Sequence, residues 1–456
     1  SAVTIHNHPR GTMDAPHDLH DGTISQWSHD GPFYRYAMAY TKCSMNSGWL
    51  RPLYLAINWF VSTFAPMAAT CHGFNCAPIA FRRFGEDCGF LTASQGQTVK
   101  AYVSWDLVHW VPSNTSLLDP EHPLLKEAIL FRPAVIYSHR TQKYVLWVNR
   151  IPKGYSVWDG YTRGGYIVAE ADEPSGPFAI LANQPNLEFG GGGDFALLAD
   201  GDKAWIAYGS WDNGYRTEGM HAFLPAELNA GHRIAVQPLT PDFTDVVPGI
   251  AANTVTAPDQ EAPTLFQYSG IFYLLHGDVC CFCPQGSDAK VPTIVCVAPC
   301  LRRPLPIALT ARDCCVVGIF LCCPEPTHVV NFPCPVAEVL VANDPMGNWT
   351  FVSNLNGYGN DHVSGQSNSV FKVKTKDGYE ALIWTADLWQ SSRSGFKSDD
   401  VQFWSLLEFD WRSHVLLEHK QSSVDVLRTN GVYVPRPLKW VNSFEIPLSV
   451  SSTGAS

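Results

Sequence analysis

The feature that most constrains this sequence is a fivefold recurrence of a polar turn followed by an aromatic-rich, strand-like segment. The copies are HDGPFYRYAMAY (29–40), HRTQKYVLWVN (139–149), DGDKAWIAYGS (200–210), YSGIFYLLHG (268–277) and KDGYEALIWTAD (376–387). A shorter strand-like segment precedes each copy, so every unit begins with a hairpin. Later strands follow in several units, as in SWDLVHWV (104–111). The recurrence predicts an all-β fold, a five-bladed β-propeller with four antiparallel strands per blade.

The spacing of equivalent points supports a single propeller domain over residues 1–456. Asp21, Arg132, Asp194, Glu261 and Gln366, near the start of each predicted innermost strand, are 111, 62, 67 and 105 residues apart. The blades are predicted at about 18–115, 129–182, 192–240, 258–353 and 362–430. The two long intervals contain irregular inserts at about 44–88 and 288–335. We interpret both inserts as foreign to the fold, for example as translated intron sequence.

Composition and charge narrow the range of partners. The chain has 15 Trp, 17 Tyr, 24 Phe, 35 Gly and 33 Pro, which is typical of short strands joined by turns. Its formal net charge of −11 argues against nucleic acid or an anionic membrane surface. The apolar run at 53–69 has 17 residues, fewer than the about 20 that span a bilayer. We therefore expect a monomer that acts on a polar small molecule and binds neither nucleic acid nor a membrane.

Cysteines and sequons favour the secretory route. The chain has 14 Cys and two N-glycosylation sequons, at Asn114 and Asn348. Ten of the Cys lie between Cys280 and Cys334, but without the spacing of a zinc site. No signal peptide is recognisable at the start, and we expect the sequence to begin after a processed or trimmed segment. The prediction is a secreted, extracellular protein with disulfides.

Three carboxylates occupy matching positions in three predicted blades. Asp21, Asp194 and Glu261 each stand near the start of an innermost strand, and these strands converge on the propeller axis. Glycoside hydrolysis needs one carboxyl group to protonate the leaving oxygen and another to activate water or attack the anomeric carbon. A third can raise the pKa of the acid by charge repulsion. A single Asp before a strand is more often a turn former, but three in matching positions predict a catalytic site.

At these positions the sequence resembles glycoside hydrolase family 43, over about residues 18–430 apart from the inserts. The family's first-blade Asp-Pro-x-Ile resembles DGTI at 21–24, with Gly in place of Pro. Its third-blade Asp before an apolar strand resembles Asp194 in GDFALLADGDKAW, and its fourth-blade Glu-x-Pro resembles EAP at 261–263. The resemblance implies that Asp21 is the general base, Glu261 the general acid and Asp194 the residue that tunes and orients the acid.

Within the family the exo-β-1,3-galactosidases are similar in FRPAVIYSHRTQKYVLWV and HVSGQSNSVF. In those enzymes a Glu precedes the Arg, whereas this chain has Phe131. The resemblance implies an inverting, exo-acting hydrolase that removes arabinose, galactose or xylose units from a polysaccharide or oligosaccharide. It implies no required cofactor. A structural calcium ion in the central channel, near His362, is a subsidiary expectation.

Further polar and aromatic residues are candidates for sugar binding. Arg132 and Gln366 stand at strand starts in blades two and five and could hold sugar oxygens. His20 could tune Asp21, although it would more often be an ordinary hydrogen-bond partner. Aromatic rings could stack on the apolar face of a sugar, although core packing explains each one equally well. The aromatic candidates are Trp105, Trp158 and Trp211.

Two alternatives remain open. A related five-bladed fructosidase or agar-oligosaccharide hydrolase would also be an enzyme, but a fructosidase would show a motif like Asn-Asp-Pro-Asn, which DGTI does not supply. A non-catalytic carbohydrate-binding propeller would keep the fold without the chemistry. Replacing Glu261 by Gln separates these classes, because binding would survive in both and hydrolysis would be lost in an enzyme.

Overall fold

The protein is described by a computed structural model that covers nineteen stretches of the chain. They are residues 2–8, 11–12, 18–40, 98–113, 116–126, 128–153, 164–182, 184–189, 192–211, 232–256, 260–278, 338–354, 365–375, 380–388, 398, 400–407, 409–410, 434–435 and 443–447. Both predicted inserts lie outside these residues. No helix in the covered stretches is long and apolar enough to span a membrane.

Five antiparallel sheets follow one another along the chain, and further short strands lie near the termini. The terminal strands are β1 (Ala2–His8), β2 (Gly11–Thr12), β22 (Phe409–Asp410), β23 (Val434–Pro435) and β24 (Ser443–Pro447). Blade 1 has β3 (His20–Gln26), β4 (Phe33–Ala39), β5 (Thr98–Ser104) and β6 (Val111–Pro112). Blade 2 has β7 (Ile129–Ser138), β8 (Lys143–Ile151), β9 (Gly165–Ala171) and β10 (Ala179–Ile180). Blade 3 has β11 (Phe195–Asp200), β12 (Lys203–Trp211), β13 (His232–Pro238) and β14 (Asn253–Thr254). Blade 4 has β15 (Gln260–Tyr268), β16 (Ile271–Asp278), β17 (Glu338–Ala342) and β18 (Thr350–Asn354). Blade 5 has β19 (Gln366–Lys374), β20 (Glu380–Leu388) and β21 (Val401–Leu406).

The innermost strands close into a ring. β3 contacts β7, β7 contacts β11, β11 contacts β15, β15 contacts β19, and β19 contacts β3. In blade 5, three strands are hydrogen-bonded in the described residues, and β2 contacts β21. The predicted five-bladed propeller is therefore confirmed.

The hydrophobic core lies between the blades, and strand alternation explains how it forms. Successive side chains of a strand point to opposite faces, so one strand supplies two interfaces. In β8, Leu146 and Val148 face blade 1, whereas Trp147 between them faces blade 3. Five buried clusters occupy the five blade interfaces, one in each. The aromatic residues of the repeats thus fill these interfaces.

Four of the five innermost strands carry an irregularity near their start. The pairing register shifts between His20 and Thr23, between Phe131 and Ala134, between Glu261 and Thr264, and between Ser367 and Ser369. Such bulges bend a strand and re-aim its side chains. Because the strand starts lie at one end of the ring, the bulges determine which groups face each other there.

Candidate active site

Residues within the bulges adopt backbone conformations that are uncommon for residues other than Gly. Asp21 has φ 52°, Arg132 has φ 48° and Ala262 has φ 54°. This left-handed region costs energy for L-residues, so the surrounding structure has to hold it. The same left-handed conformation recurs in the bulges of three blades. It turns side chains out of the strand ladder at the same end of the propeller.

Arg132 connects blade 2 to blade 3 at this end. Its side chain is 3% exposed, and its Nε lies 2.9 Å from Oδ1 of Asp194. A guanidinium nitrogen also donates to the backbone carbonyl of Ser367 in blade 5, at 2.8 Å. The other carboxylate oxygen of Asp194 accepts a hydrogen bond from Nε2 of Gln366 at 3.2 Å. Two of the predicted sugar-binding residues, Arg132 and Gln366, therefore both contact Asp194.

The three predicted carboxylates all act on the charge of Arg132. Burial lowers the pKa of this guanidinium, but nearby carboxylates outweigh burial and raise the pKa above its ordinary value. Those carboxylates are Asp194, Asp21 and Glu261. One cation from blade 2 is thus influenced by acidic groups from blades 1, 3 and 4.

The chain before Asp194 passes close to blade 2. Nδ2 of Asn149 donates to the carbonyl of Gly193 at 2.5 Å, and the hydroxyl of Tyr166 donates to the same carbonyl at 2.9 Å. A Cβ at Gly192 would lie 3.1 Å from the backbone of Gly165 and from the Tyr166 ring. The backbone of blade 3 therefore approaches blade 2 closely at Gly192. Gly190 and Gly191 lie outside the described residues.

Asp21 is buried and lies among polar groups of blades 1 and 5. It is 5% exposed, and its Oδ2 accepts a hydrogen bond from the hydroxyl of Tyr40. Burial raises the pKa of Tyr40 well above its ordinary value, and the charge of Asp21 raises it further. Tyr40 is therefore a neutral donor to this carboxylate. The backbone N–H of Asp21 donates to Oδ2 of Asp387 at 2.7 Å.

Glu261 is 4% exposed and lies at the start of β15, opposite Gly277. Glu261 is the last paired residue before the bulge of β15, and Phe131 is the last paired residue before the bulge of β7. Arg132 is the residue after Phe131. The predicted equivalence of Glu261 with Arg132 is thus shifted by one residue. Beside it, Gln260 has its Oε1 2.7 Å from Nδ1 of His276. Burial lowers the pKa of His276 to about 3, so this imidazole is neutral.

The structure adds Asp387 to the site, which the sequence did not single out. The segment WTAD at 384–387 was interpreted only as a repeat strand. His20, predicted as a neighbour of Asp21, instead has its Nδ1 3.3 Å from Oδ1 of Asp387. Burial lowers the pKa of His20, but the hydrogen bond and charge of Asp387 outweigh burial and raise it overall. Local sequence contains no signal for this contact, because the two residues are far apart in the chain.

The aromatic candidates for sugar binding do not all lie at the end of the propeller that carries the carboxylates. Trp105 is 42% exposed and follows Ser104, which pairs with Phe33 at the start of β4. Since β3 and β4 are antiparallel, this is the end of blade 1 opposite Asp21, and the structure does not bring Trp105 to the carboxylates. Trp211 ends β12 at the end of blade 3 that carries Asp194, with its side chain outside the described part.

Trp158 and His362 lie outside the described residues. Within the stretches that the structure covers, no group of three or more His, Cys, Asp or Glu side chains could hold a metal ion.

The innermost strands of the five blades form a closed ring, and the three predicted carboxylates stand near the starts of three of these strands. The family model for glycosyl hydrolases family 43 matches residues 71–285, a stretch that contains Asp194 and Glu261. This match, which covers just under half of the chain, confirms the predicted resemblance to family 43. No curated protein matches the sequence.

Several solved structures share the fold. A family 43 β-1,3-galactosidase with galactodeoxynojirimycin has a TM-score of 0.53 and 16% identity, covering 97% of this chain and 99% of that one. Another family 43 β-1,3-galactosidase has a TM-score of 0.52 and 16% identity, covering 94% of this chain and 60% of that one. A variant exo-β-1,3-galactanase from Phanerochaete chrysosporium with β-1,3-galactotriose has a TM-score of 0.51 and 14% identity, covering 91% and 66%. This chain thus spans under two thirds of the length of the last two.

Proposed function

We propose that the protein is an inverting, exo-acting glycosidase that removes galactose from the end of a β-1,3-linked galactose chain. The sequence alone predicted arabinose, galactose or xylose. The names of the similar galactosidases and galactanase favour galactose among the three. The observation that carries the proposal is the closed ring of innermost strands, which places Asp21, Asp194 and Glu261 at the strand starts of three blades, with Asp194 2.9 Å from the guanidinium of Arg132.

In the proposed reaction, Asp21 accepts a proton from a water molecule as the water oxygen bonds to the anomeric carbon. Glu261 donates its proton to the glycosidic oxygen as the carbon–oxygen bond breaks. The products are galactose of inverted anomeric configuration and a chain shortened by one sugar. Proton exchange with solvent then restores the acid and the base.

Asp194 has a supporting role in this proposal. Its carboxylate is held by Arg132 on one oxygen and by Gln366 on the other, so its orientation is constrained by blades 2 and 5. A fixed carboxylate of this kind favours the protonated form of a neighbouring acid through like-charge repulsion. Arg132 and Gln366 are thereby proposed to act on the sugar mainly through the position of Asp194.

Glu261→Gln tests the proposed hydrolase function. We expect this variant to lose hydrolysis of β-1,3-galactotriose by about 100- to 10,000-fold, because the amide cannot donate the acid proton. Binding of galactodeoxynojirimycin, measured by calorimetry, should persist. Hydrolysis at the wild-type rate would refute the role of Glu261. Binding without hydrolysis by the wild type would identify a carbohydrate-binding propeller instead.

The stereochemistry is tested on the same substrate. Proton NMR of the first product should show α-galactose from the β-linkage, which is the result of a single displacement. β-Galactose as the first product would show retention and exclude Asp21 as a general base acting through water.

We also propose that the protein is secreted. Asn348 is exposed in the turn between β17 and β18, as a glycan attachment site has to be. Asn114 and the cysteines from Cys280 to Cys334 lie outside the described residues. Expression in a eukaryotic host should place the protein in the medium, with a mass that falls on treatment with a peptide N-glycosidase.

A further inference from the structure

Asp387 is a buried carboxylate that the mechanism above does not use. It lies on β20 in blade 5 and is fully buried. Its Oδ2 accepts hydrogen bonds from the backbone N–H of Asp21 at 2.7 Å and from Nδ2 of Asn368 at 2.8 Å. Its Oδ1 accepts a hydrogen bond from Nε2 of Gln402 at 2.7 Å and lies 3.3 Å from Nδ1 of His20. Both oxygens thus have partners, and two of these partners belong to blade 1.

The contact with Asp21 is made at the irregular point of β3. The pairing register of β3 with β4 shifts between His20 and Thr23, so Asp21 lies within a bulge. Its φ of 52° lies in the left-handed region, which residues other than Gly seldom adopt. A buried N–H released from the ladder needs another acceptor. Asp387 provides that acceptor from the neighbouring blade.

The charge of Asp387 strengthens the contact. Burial alone would raise its pKa, but the hydrogen bond and charge of His20, with the N–H of Asp21, outweigh burial and lower it. Asp387 is therefore ionised at neutral pH. A hydrogen bond to an ionised acceptor is shorter and stronger than one between neutral groups, as the 2.7 Å distance illustrates.

The direction of a side chain follows from the backbone that carries it, so a group that holds the backbone of Asp21 also sets where its carboxylate points. We propose that Asp387 is a positioning residue for the general base, holding Asp21 in the left-handed conformation that aims its carboxylate at the attacking water. This inference rests on the proposed function of Asp21. Asp387 acts through the N–H of Asp21 and has no contact with the substrate.

The test compares Asp387→Ala and Asp387→Asn with Asp242→Asn. Asp242 is a matched control, because its carboxylate also accepts hydrogen bonds, from Thr240 and Thr244, but lies in the turn after β13. That turn is at the end of blade 3 away from Asp194. Each variant is tested in two ways. One is the hydrogen-exchange rate of the residue 21 amide, and the other is the steady-state kinetics, kcat and KM, on β-1,3-galactotriose.

We expect Asp387→Ala to speed exchange at residue 21 about tenfold or more, because the amide loses its acceptor. Its kcat should fall about 100-fold, as a displaced catalytic group predicts, with KM changed by less than about twofold. Asp387→Asn keeps one acceptor oxygen and the shape of the side chain, so it should fold and recover part of both losses. Asp242→Asn should change neither quantity.

Unchanged exchange at residue 21 in both Asp387 variants would overturn the inference, whether or not the protein hydrolyses galactotriose. Faster exchange with an unchanged kcat, in an active protein, would also overturn it, because Asp387 would then be only structural. A raised KM with an unchanged kcat would assign Asp387 to substrate binding instead. A wild type without hydrolase activity would refute the proposed function separately, and the exchange rates would still show whether Asp387 holds residue 21.

Discussion

Arg132 and Asp194 show at the scale of single residues how the site depends on buried charge. Arg132 is 3% exposed and Asp194 is 19% exposed, so the ion pair lies mostly away from water. Desolvation makes such a pair a weak source of net stability, but removing one partner leaves the other charge uncompensated. The pair therefore maintains the geometry of the site more than it adds to the stability of the fold.

Arg132→Met should lower the free energy of unfolding by about 3 kcal/mol, because the carboxylate of Asp194 loses its cation. Chemical denaturation measures the loss. Lys143→Met is the control, since Lys143 pairs with the exposed Asp172 and should leave the midpoint unchanged. Equal midpoints for the two variants would show that the Arg132 pair does not differ from a surface pair.

His276 should make the protein sensitive to acid. Its pKa is about 3 in the folded protein and 6.5 as an ordinary value, so the unfolded state binds its proton first. This contribution to stability is complete above pH 6.5 and is lost as the pH falls towards 3, at up to about 1.4 kcal/mol per pH unit. His276→Asn should reduce the slope of unfolding free energy against pH in that range. Replacing the exposed His139 by Asn should leave the slope unchanged, and equal slopes for both variants would contradict the assignment.

At the scale of elements, the bulges at the strand starts form the site, and β3 shows what one of them requires. Gly22 follows Asp21 in the bulge where β3 passes close to β4. A Cβ at this position would lie 1.8 Å from the carbonyl oxygen of Tyr36. No side chain fits at that distance, so the Gly that stands here in place of the family's Pro is required by the path of the strand.

Gly22→Ala should therefore destabilise the protein by more than about 3 kcal/mol, since the clash is with backbone that cannot move aside. Gly201→Ala is a matched control. It lies in the turn between β11 and β12, with φ 61° and nothing within 4 Å of an added Cβ. Its cost should be about 1 kcal/mol, from the backbone conformation alone. Equal denaturation midpoints for the two variants would show that β3 can shift away from β4.

At the scale of the whole molecule, the ring closes where blade 5 meets blade 1. Arg35 of β4 lies there, with its guanidinium carbon 5.9 Å from the ring centre of Trp110 and 5.5 Å from that of Trp404. It donates hydrogen bonds to the carbonyl of Leu19 at 2.6 Å and to Oε1 of Gln402. Burial lowers its pKa to about 10, so it remains charged at neutral pH. One cation thus joins the first and last blades beside Asp387.

Arg35→Met should loosen this closure selectively. Hydrogen exchange should become faster in β3, β4 and β19–β21, with smaller changes in blades 2 and 3, because the lost contacts all lie at the closing interface. Arg150→Met is the control, since Arg150 donates to the carbonyl of Leu124 near blade 2 and makes no closing contact. Uniformly faster exchange in Arg35→Met would contradict a local role in closure.

The repeating elements of this protein could be predicted from its sequence. The alternation of side chains in segments such as KYVLWVN is a local property, because successive residues of a strand point to opposite faces, and it predicted the strands of the blades. The fivefold recurrence predicted the ring. It also brought Asp21, Asp194 and Glu261 to one end, because each acidic residue stands beside the start of an innermost strand.

Which side chains contact each other depends on how the blades pack in three dimensions. The contact of Asp387 with Asp21 joins residues that are 366 positions apart and exists because the last blade closes on the first. The bulges place Glu261 one residue earlier in register than Arg132, and the antiparallel path puts Trp105 at the far end of blade 1. Strand period is encoded by neighbouring residues, whereas register and closure depend on the packing of every blade against the next. Asp21 could be recognised from the sequence as the candidate base, but its support by Asp387 could be recognised only in the closed ring.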